Sequence, residues 1–163
     1  MLFIVCGLPG SGKTTLSMLV SKRYNAMHIS SDAVRKELIA KPTYSEEEKE
    51  MVYGEVSKRA RAALKEGKNV VIDSTCYKKA HRENMRGLAK DAGAKSYTIL
   101  CTLPEEEVKR RLDRRRMDLS DADYAVYVKV KGIFERMDEE HVEVDCSLPR
   151  KEMLAIVERY IGG

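Results

Sequence analysis

The chain has 163 residues, a length that fits one domain with a real core. Hydrophobic residues make up 43% and charged residues 34%, which argues against a disordered chain, and no apolar run approaches the roughly 18 residues of a membrane span. The formal charge of +4 suits phosphate-bearing ligands but is too small to argue for nucleic acid alone, and with aromatics at 6% and no tryptophan a base-stacking platform is not evident.

The first predicted strand, residues 2–6, runs straight into the segment GLPGSGKT, residues 7–14. A helix over residues 13–24 follows. A second strand, 26–30, leads through Ser30-Ser31 into a helix over 32–40. Ser45 ahead of Glu46-Glu47-Glu48 marks the start of a long helix, because acids suit the positive end of the helix dipole; Gly67 can stop it after Glu66. The third strand, 69–73, ends on Asp73 and precedes a helix over 78–92 that stops at Gly93. A fourth strand, 96–102, is followed by Pro104 and a helix over 105–116. Residues 124–130 alternate as a strand would, yet Ser120-x-x-Asp123 ahead of them reads as a helix cap, and a helix is assigned. A fifth strand, 141–145, and a helix over 150–161, framed by Pro149 and Gly162, complete the chain. Strands alternating with helices predict an α/β domain over residues 1–163, its sheet parallel and covered on both faces.

The four cysteines, Cys6, Cys76, Cys101 and Cys146, form no C-x-x-C pair, so zinc is not expected; Cys6 and Cys101 read as core fillers. His28, His81 and His141 have no metal spacing. No leader or membrane segment is apparent, which predicts a cytoplasmic protein with reduced thiols and no membrane partner.

GLPGSGKT fits G-x-x-x-x-G-K-[ST] in full, between a strand and a helix. Glycines let the backbone turn tightly and aim several amides at one point, and the following helix adds its positive end. Gly7, Leu8, Pro9, Gly10, Ser11, Gly12, Lys13, Thr14 and Thr15 are therefore the expected nucleotide-phosphate site, with Lys13 also catalytic. Thr14 and Asp73 are the expected Mg²⁺ ligands, Asp73 at the C-terminal tip of a buried strand where α/β sheets bind ligands. Ser74 stands where AAA-type ATPases usually carry a water-activating Glu, and no N-K-x-D guanine motif is present, so hydrolysing motors and GTP switches lose weight.

A transferred phosphate needs an acceptor. Asp32 follows the second strand and is the candidate base; Arg35, one turn on, is the candidate grip on the acceptor. Arg82, which shares a helix face with Arg86 after Asp73, and Arg111 are the further expected acceptor-binding residues. Tyr44 and Tyr53 read as packing residues ahead of acceptor contacts. The run Lys109–Arg116 supplies lid charge: Arg115 is expected at the transferred phosphate and Arg111 behind it, in a lid over residues 111–123.

These features together resemble the small P-loop kinases related to phage polynucleotide kinase and the zeta toxins, and more distantly adenylate kinase. The shared features are GLPGSGKT, Asp32-x-x-Arg35, Gly67-x-x-Val70-Val71-Ile72-Asp73-Ser74-Thr75, His81-Arg82-Glu83 and the arginine-rich segment before Ser120-Asp121. The resemblance implies a P-loop fold with five parallel strands and the glycine-loop strand in the middle. It implies ATP as donor, a hydroxyl or phosphate acceptor, and a kinase with Asp32 as general base. Relatives often carry Asn where this chain has Cys76. A nucleic-acid 5′-hydroxyl is the leading acceptor; a nucleoside monophosphate or small molecule is the alternative, and a non-catalytic nucleotide-binding module the distant one.

Overall fold

A computed structural model describes residues 1–115 and 124–163, with the side chains of residues 113–115 outside the description. The elements run β1 (Leu2–Gly7), α1 (Lys13–Arg23), β2 (Ala26–Ser30), α2 (Ser31–Leu38), α3 (Glu46–Lys65), β3 (Asn69–Asp73), α4 (Lys79–Asp91), β4 (Ser96–Thr102), α5 (Glu105–Arg115), α6 (Tyr124–Ile133), β5 (Val142–Asp145) and α7 (Arg150–Gly162). The sheet order is β2-β3-β1-β4-β5 and every pairing is parallel. The glycine-loop strand is therefore central, as the resemblance implies.

β1 is buried along its whole length, which explains its unbroken apolar run. Its alternate side chains feed two cores. Leu2, Ile4 and Cys6 join Val52, Val56 and Met85 under α3 and α4. Phe3 and Val5 join Leu16, Val20 and Val157 under α1 and α7. The ambiguous segment after the lid is helical: Tyr127 of α6 packs on Val108 and Leu112 of α5. That spacing of contacts suits a helix, and its apolar side outweighs the strand-like alternation. No helix among the described residues is long and apolar enough to cross a membrane.

Register fixes what matters for a site. Ser30 pairs with Asp73 across β2 and β3, and Val5 with Asp73 across β1 and β3. The ends of β1, β2 and β3 thus share one edge, from which the glycine loop, Asp73 and the start of α2 all emerge.

Candidate active site

The loop turns on three glycines with positive φ: Gly7 (145°), Gly10 (77°) and Gly12 (100°). Two of them also allow close approach. A Cβ on Gly7 would lie 2.6 Å from the Cys101 carbonyl oxygen, and one on Gly12 would lie 2.9 Å from Cys146 Cβ. Gly12→Ala should therefore cost stability, about 1–3 kcal/mol for the left-handed backbone, before any effect on ligand, and a thermal melt would read it. Helix α1 starts behind Gly12 with no side-chain cap on its first amides. Uncapped amides at the positive end of a helix dipole favour an anion.

Lys13 Nζ donates to the Leu8 carbonyl oxygen at 2.8 Å, so the ammonium lies over the loop. Thr14 Oγ1 donates to Asp73 Oδ2, also at 2.8 Å. Asp73 is 4% exposed. Burial pushes its carboxyl up, but hydrogen bonds from His28 and Thr14 and the charge of Lys13 outweigh that and hold it below the ordinary aspartate range. A hydroxyl and an ionised carboxylate side by side are hard oxygen donors, which fits Mg²⁺. Among the described residues no cluster of three or more His, Cys, Asp or Glu offers a metal cage. The pair suits an ion that takes its remaining ligands from phosphates and water.

His28 was not expected here. Its Nε2 lies 3.5 Å from Asp73 Oδ2 and 3.1 Å from Ser17 Oγ. The alternation of β2 was the available signal, since His28 and Ser30 share one face of that strand. Ser74, next to Asp73, is buried and donates to the Tyr53 hydroxyl oxygen, which also accepts from the Cys76 amide, each at 3.1 Å. Tyr53 is thus a packing residue that pins the segment after Asp73, where Cys76 holds φ at 48°.

Asp32 lies in the first turn of α2, two residues beyond the register partner of Asp73. Ser30, not Asp32, caps this helix by accepting from the Ala33 amide. The Asp32 side chain is 83% exposed and meets Arg35 Nη1 at 3.3 Å. Arg35 is more committed than expected. Its Nε donates to Glu48 at 3.0 Å, and Glu48 Oε2 in turn accepts from the Thr43 and Tyr44 amides. The Arg35 guanidinium also lies 5.0 Å from the centre of the Tyr44 ring.

Two arginines depart from the expected acceptor group. Arg82 is fully buried: Nε donates to Glu139, Nη1 to the carbonyls of Cys76 and Tyr77, and Nη2 to those of Glu135 and Arg136. All five N–H donors are used, so it ties the segment after α6 to the segment after Asp73 and is a structural residue. Arg111 lies on the opposite flank from Asp32. It lines a recess of about 280 Å³ with Gly12, Thr15, Cys146, Leu148 and Arg150, and donates to the Cys146 carbonyl at 3.1 Å. Arg115, the expected lid cation, and the lid residues 116–123 fall outside the described side chains.

With this geometry in hand, comparison with known proteins is informative. Over 126 residues the chain is 30% identical to "Adenylate kinase" of Elusimicrobium minutum, a match that takes in 71% of this chain and 59% of that protein. It is 25% identical over 152 residues to "L-seryl-tRNA(Sec) kinase" of Methanococcus maripaludis, across 91% of this chain and 57% of the relative. It thus spans less than two thirds of the length of these relatives. The solved APS kinase of Mycobacterium tuberculosis, in complex with AMPPNP and APS, shares the fold with a TM-score of 0.71 at 20% identity, across 96% of both chains. A family profile described as AAA domain matches residues 2–137, and by that match the chain belongs to the AAA_33 family of AAA domains.

Proposed function

We propose that this domain is an ATP-dependent phosphotransferase that moves the γ-phosphate of ATP to a hydroxyl group. The observation that carries the reading is the 2.8 Å Thr14–Asp73 hydrogen bond beneath Lys13, with Asp32 rising from the same sheet edge. Residues 7–15 hold the phosphates, through their amides and the positive end of α1. The recess beside Gly12, Thr15 and Arg111 receives the base. Thr14 and Asp73 hold Mg²⁺, which when bound supplies positive charge beside the outer phosphates. Lys13 offsets charge that develops on the moving phosphoryl group, and Arg115 joins it from the lid. Asp32 orients the acceptor hydroxyl and takes its proton.

The buried Ser74 supports transfer over hydrolysis. Its hydroxyl is committed to Tyr53, and a serine offers no carboxylate to activate water. The acceptor side supports an alcohol over a second nucleotide. A nucleotide acceptor would need arginines to grip its phosphate, and among the described residues two candidates for that grip are already paired, Arg35 with Glu48 and Arg82 with Glu139. The relative from Methanococcus maripaludis is named for a seryl-tRNA acceptor, and a nucleic-acid 5′-hydroxyl, as in polynucleotide kinases, is another alcohol of this class. The adenylate kinase relative favours the second reading, transfer to a nucleoside monophosphate.

Radiolabelled ATP offered with 5′-hydroxyl oligonucleotides, seryl-tRNA, sugars, and AMP, CMP and UMP separates the two. Label is expected on a hydroxyl acceptor and absent from nucleoside diphosphates; labelled diphosphates would establish the second reading. Lys13→Ala should lower transfer roughly 10²–10³-fold, the scale of losing one preorganised charge-stabilising donor. Transfer at the wild-type rate by that variant would move the triphosphate out of this loop.

A further inference from the structure

Three elements, β2, β3 and α1, meet around the Asp73 carboxylate. Val71 packs with Leu16 and Val20 of α1, so strand alternation puts Asp73 on that same face of the sheet. His28 is the register partner of Val71 and shares the face. On α1, Ser17 lies one turn after Thr14, and the two hydroxyls present one side of the helix. Thr14 and His28 thus both meet Asp73, with Ser17 against the imidazole.

Ser17 decides which form of the imidazole is present. Its hydroxyl is fully buried, and it donates its one proton to the Thr14 carbonyl oxygen at 3.1 Å. Ser17 Oγ is therefore left to accept from His28 Nε2, also at 3.1 Å. The second neighbour makes the same demand. Asp73 Oδ2 lies 3.5 Å from that nitrogen, and a bare Nε2 would turn a lone pair toward a carboxylate oxygen. A protonated Nε2 satisfies both neighbours, and it is found in one neutral tautomer and in the imidazolium alike.

That N–H sorts the two oxygens of Asp73. Oδ2 accepts from Thr14 Oγ1 at 2.8 Å and faces His28 Nε2–H. Oδ1 accepts from none of the described residues. Nor is it sealed: among those residues the fully buried side-chain polar atoms without a partner are Ser11 Oγ and His81 Nδ1. Oδ1 is the oxygen with free lone pairs and access to solvent. A carboxylate held at one point can pivot about that bond, and a second donor on the same oxygen opposes the pivot.

We propose that His28 is a positioning residue: its Nε2–H, fixed by Ser17, holds Asp73 Oδ2 so that Oδ1 stays available to Mg²⁺. This role rests on the proposed Thr14–Asp73 metal site and adds the group that orients it. Outer partners of this kind are typically worth about 10–100-fold in metal affinity.

Side-chain amides separate the donor from mere packing. The glutamine amide nitrogen can take the place of Nε2 and donate to Ser17 and Asp73, whereas asparagine is one carbon shorter and falls short of both. Two readouts are needed. The Mn²⁺ affinity of the chain loaded with ADP is read from the EPR signal of the free ion. Fluorescent N-methylanthraniloyl-ADP titrated in EDTA reads nucleotide binding without metal.

His28→Asn should weaken Mn²⁺ binding roughly 10–100-fold and leave the EDTA titration within about twofold of wild type. His28→Gln should hold Mn²⁺ as the wild type does. Ser17→Ala frees the ring without touching β2 and should lower Mn²⁺ affinity in the same direction by less, so the proposal is decided even where an edge-strand substitution unsettles the fold. Wild-type Mn²⁺ affinity in both His28→Asn and Ser17→Ala, or an equal loss in His28→Asn and His28→Gln, overturns the proposal while the metal site stands. A wild-type complex that holds Mn²⁺ no better than free ADP overturns the Thr14–Asp73 assignment and the positioning role with it. The EDTA titration then decides separately whether the glycine loop holds the phosphates.

Discussion

Replacing Asp32 by alanine is expected to lower kcat by roughly 10²–10⁴, the usual scale for a general base, with nucleotide affinity little changed. The substitution is clean because the carboxylate is solvent-facing and the helix cap belongs to Ser30. Arg35 keeps Glu48 when Asp32 is lost, so the acceptor side holds its shape. The stability cost should be no more than about 1 kcal/mol, from losing an acid in the first turn of α2. Asp32→Asn divides the role further: it preserves a hydrogen-bonding side chain but accepts no proton. An asparagine variant near wild type would reduce Asp32 to an orienting group. Full activity in both variants would remove it from the chemistry and favour a chain in which nucleotide occupancy regulates a partner. Single-turnover transfer at saturating ATP, beside a nucleotide titration, reads both quantities.

Arg82→Ala should cost about 3–5 kcal/mol of folding free energy, the range for breaking a buried ion pair by removing one partner. That is a large share of a total that is roughly 5–15 kcal/mol for most domains. The variant leaves the buried Glu139 carboxylate without its cation and takes the Arg82 donor from four backbone carbonyls, of which Tyr77 keeps the Glu135 amide. Arg82→Lys should not restore stability, since a lysine has three donors on one atom and cannot span acceptors on both segments. The pair also predicts an acid limb. Burial pushes Glu139 up, but the Arg82 hydrogen bond and charge prevail and hold it below its ordinary value of 4.5. A carboxyl lowered on folding stabilises fully above its unfolded value, and that contribution is lost as pH falls through the folded one. Urea midpoints of the wild type should therefore drop as the pH is lowered below about 4.5. Glu139→Gln should show a shallower drop over the same range.

Much of this architecture was legible because the signals are local. The strands at 26–30, 69–73 and 96–102 have the boundaries that their short apolar runs predict, each closed off by helix-type sequence on either side. The glycine loop was legible for the same reason: backbone turning, amide convergence and the lysine are all set within eight residues. Residues 124–130 were harder, because a short apolar segment carries both periods and only its docking on α5 decides between them. The partners of the arginines were not legible, because they are set at long range. Arg82 meets a carboxylate 57 positions away, and Arg111 meets a carbonyl 35 positions away. Arg35 looked free because Glu48 sits beyond an intervening turn. Helical spacing indicates which face a charge occupies but not whether a distant acid already neutralises it.

The uncapped start of α1 has a further consequence. A helix that opens on a left-handed glycine, with no side chain capping its first amides and no acid in its first turn, leaves part of its cohesion to whatever anion docks there. By mass action, a ligand at a hundred times its dissociation constant adds about 2.7 kcal/mol to the resistance against unfolding. The durability of the chain is then a shared property, set jointly by its own packing and by the supply of phosphorylated metabolites around it.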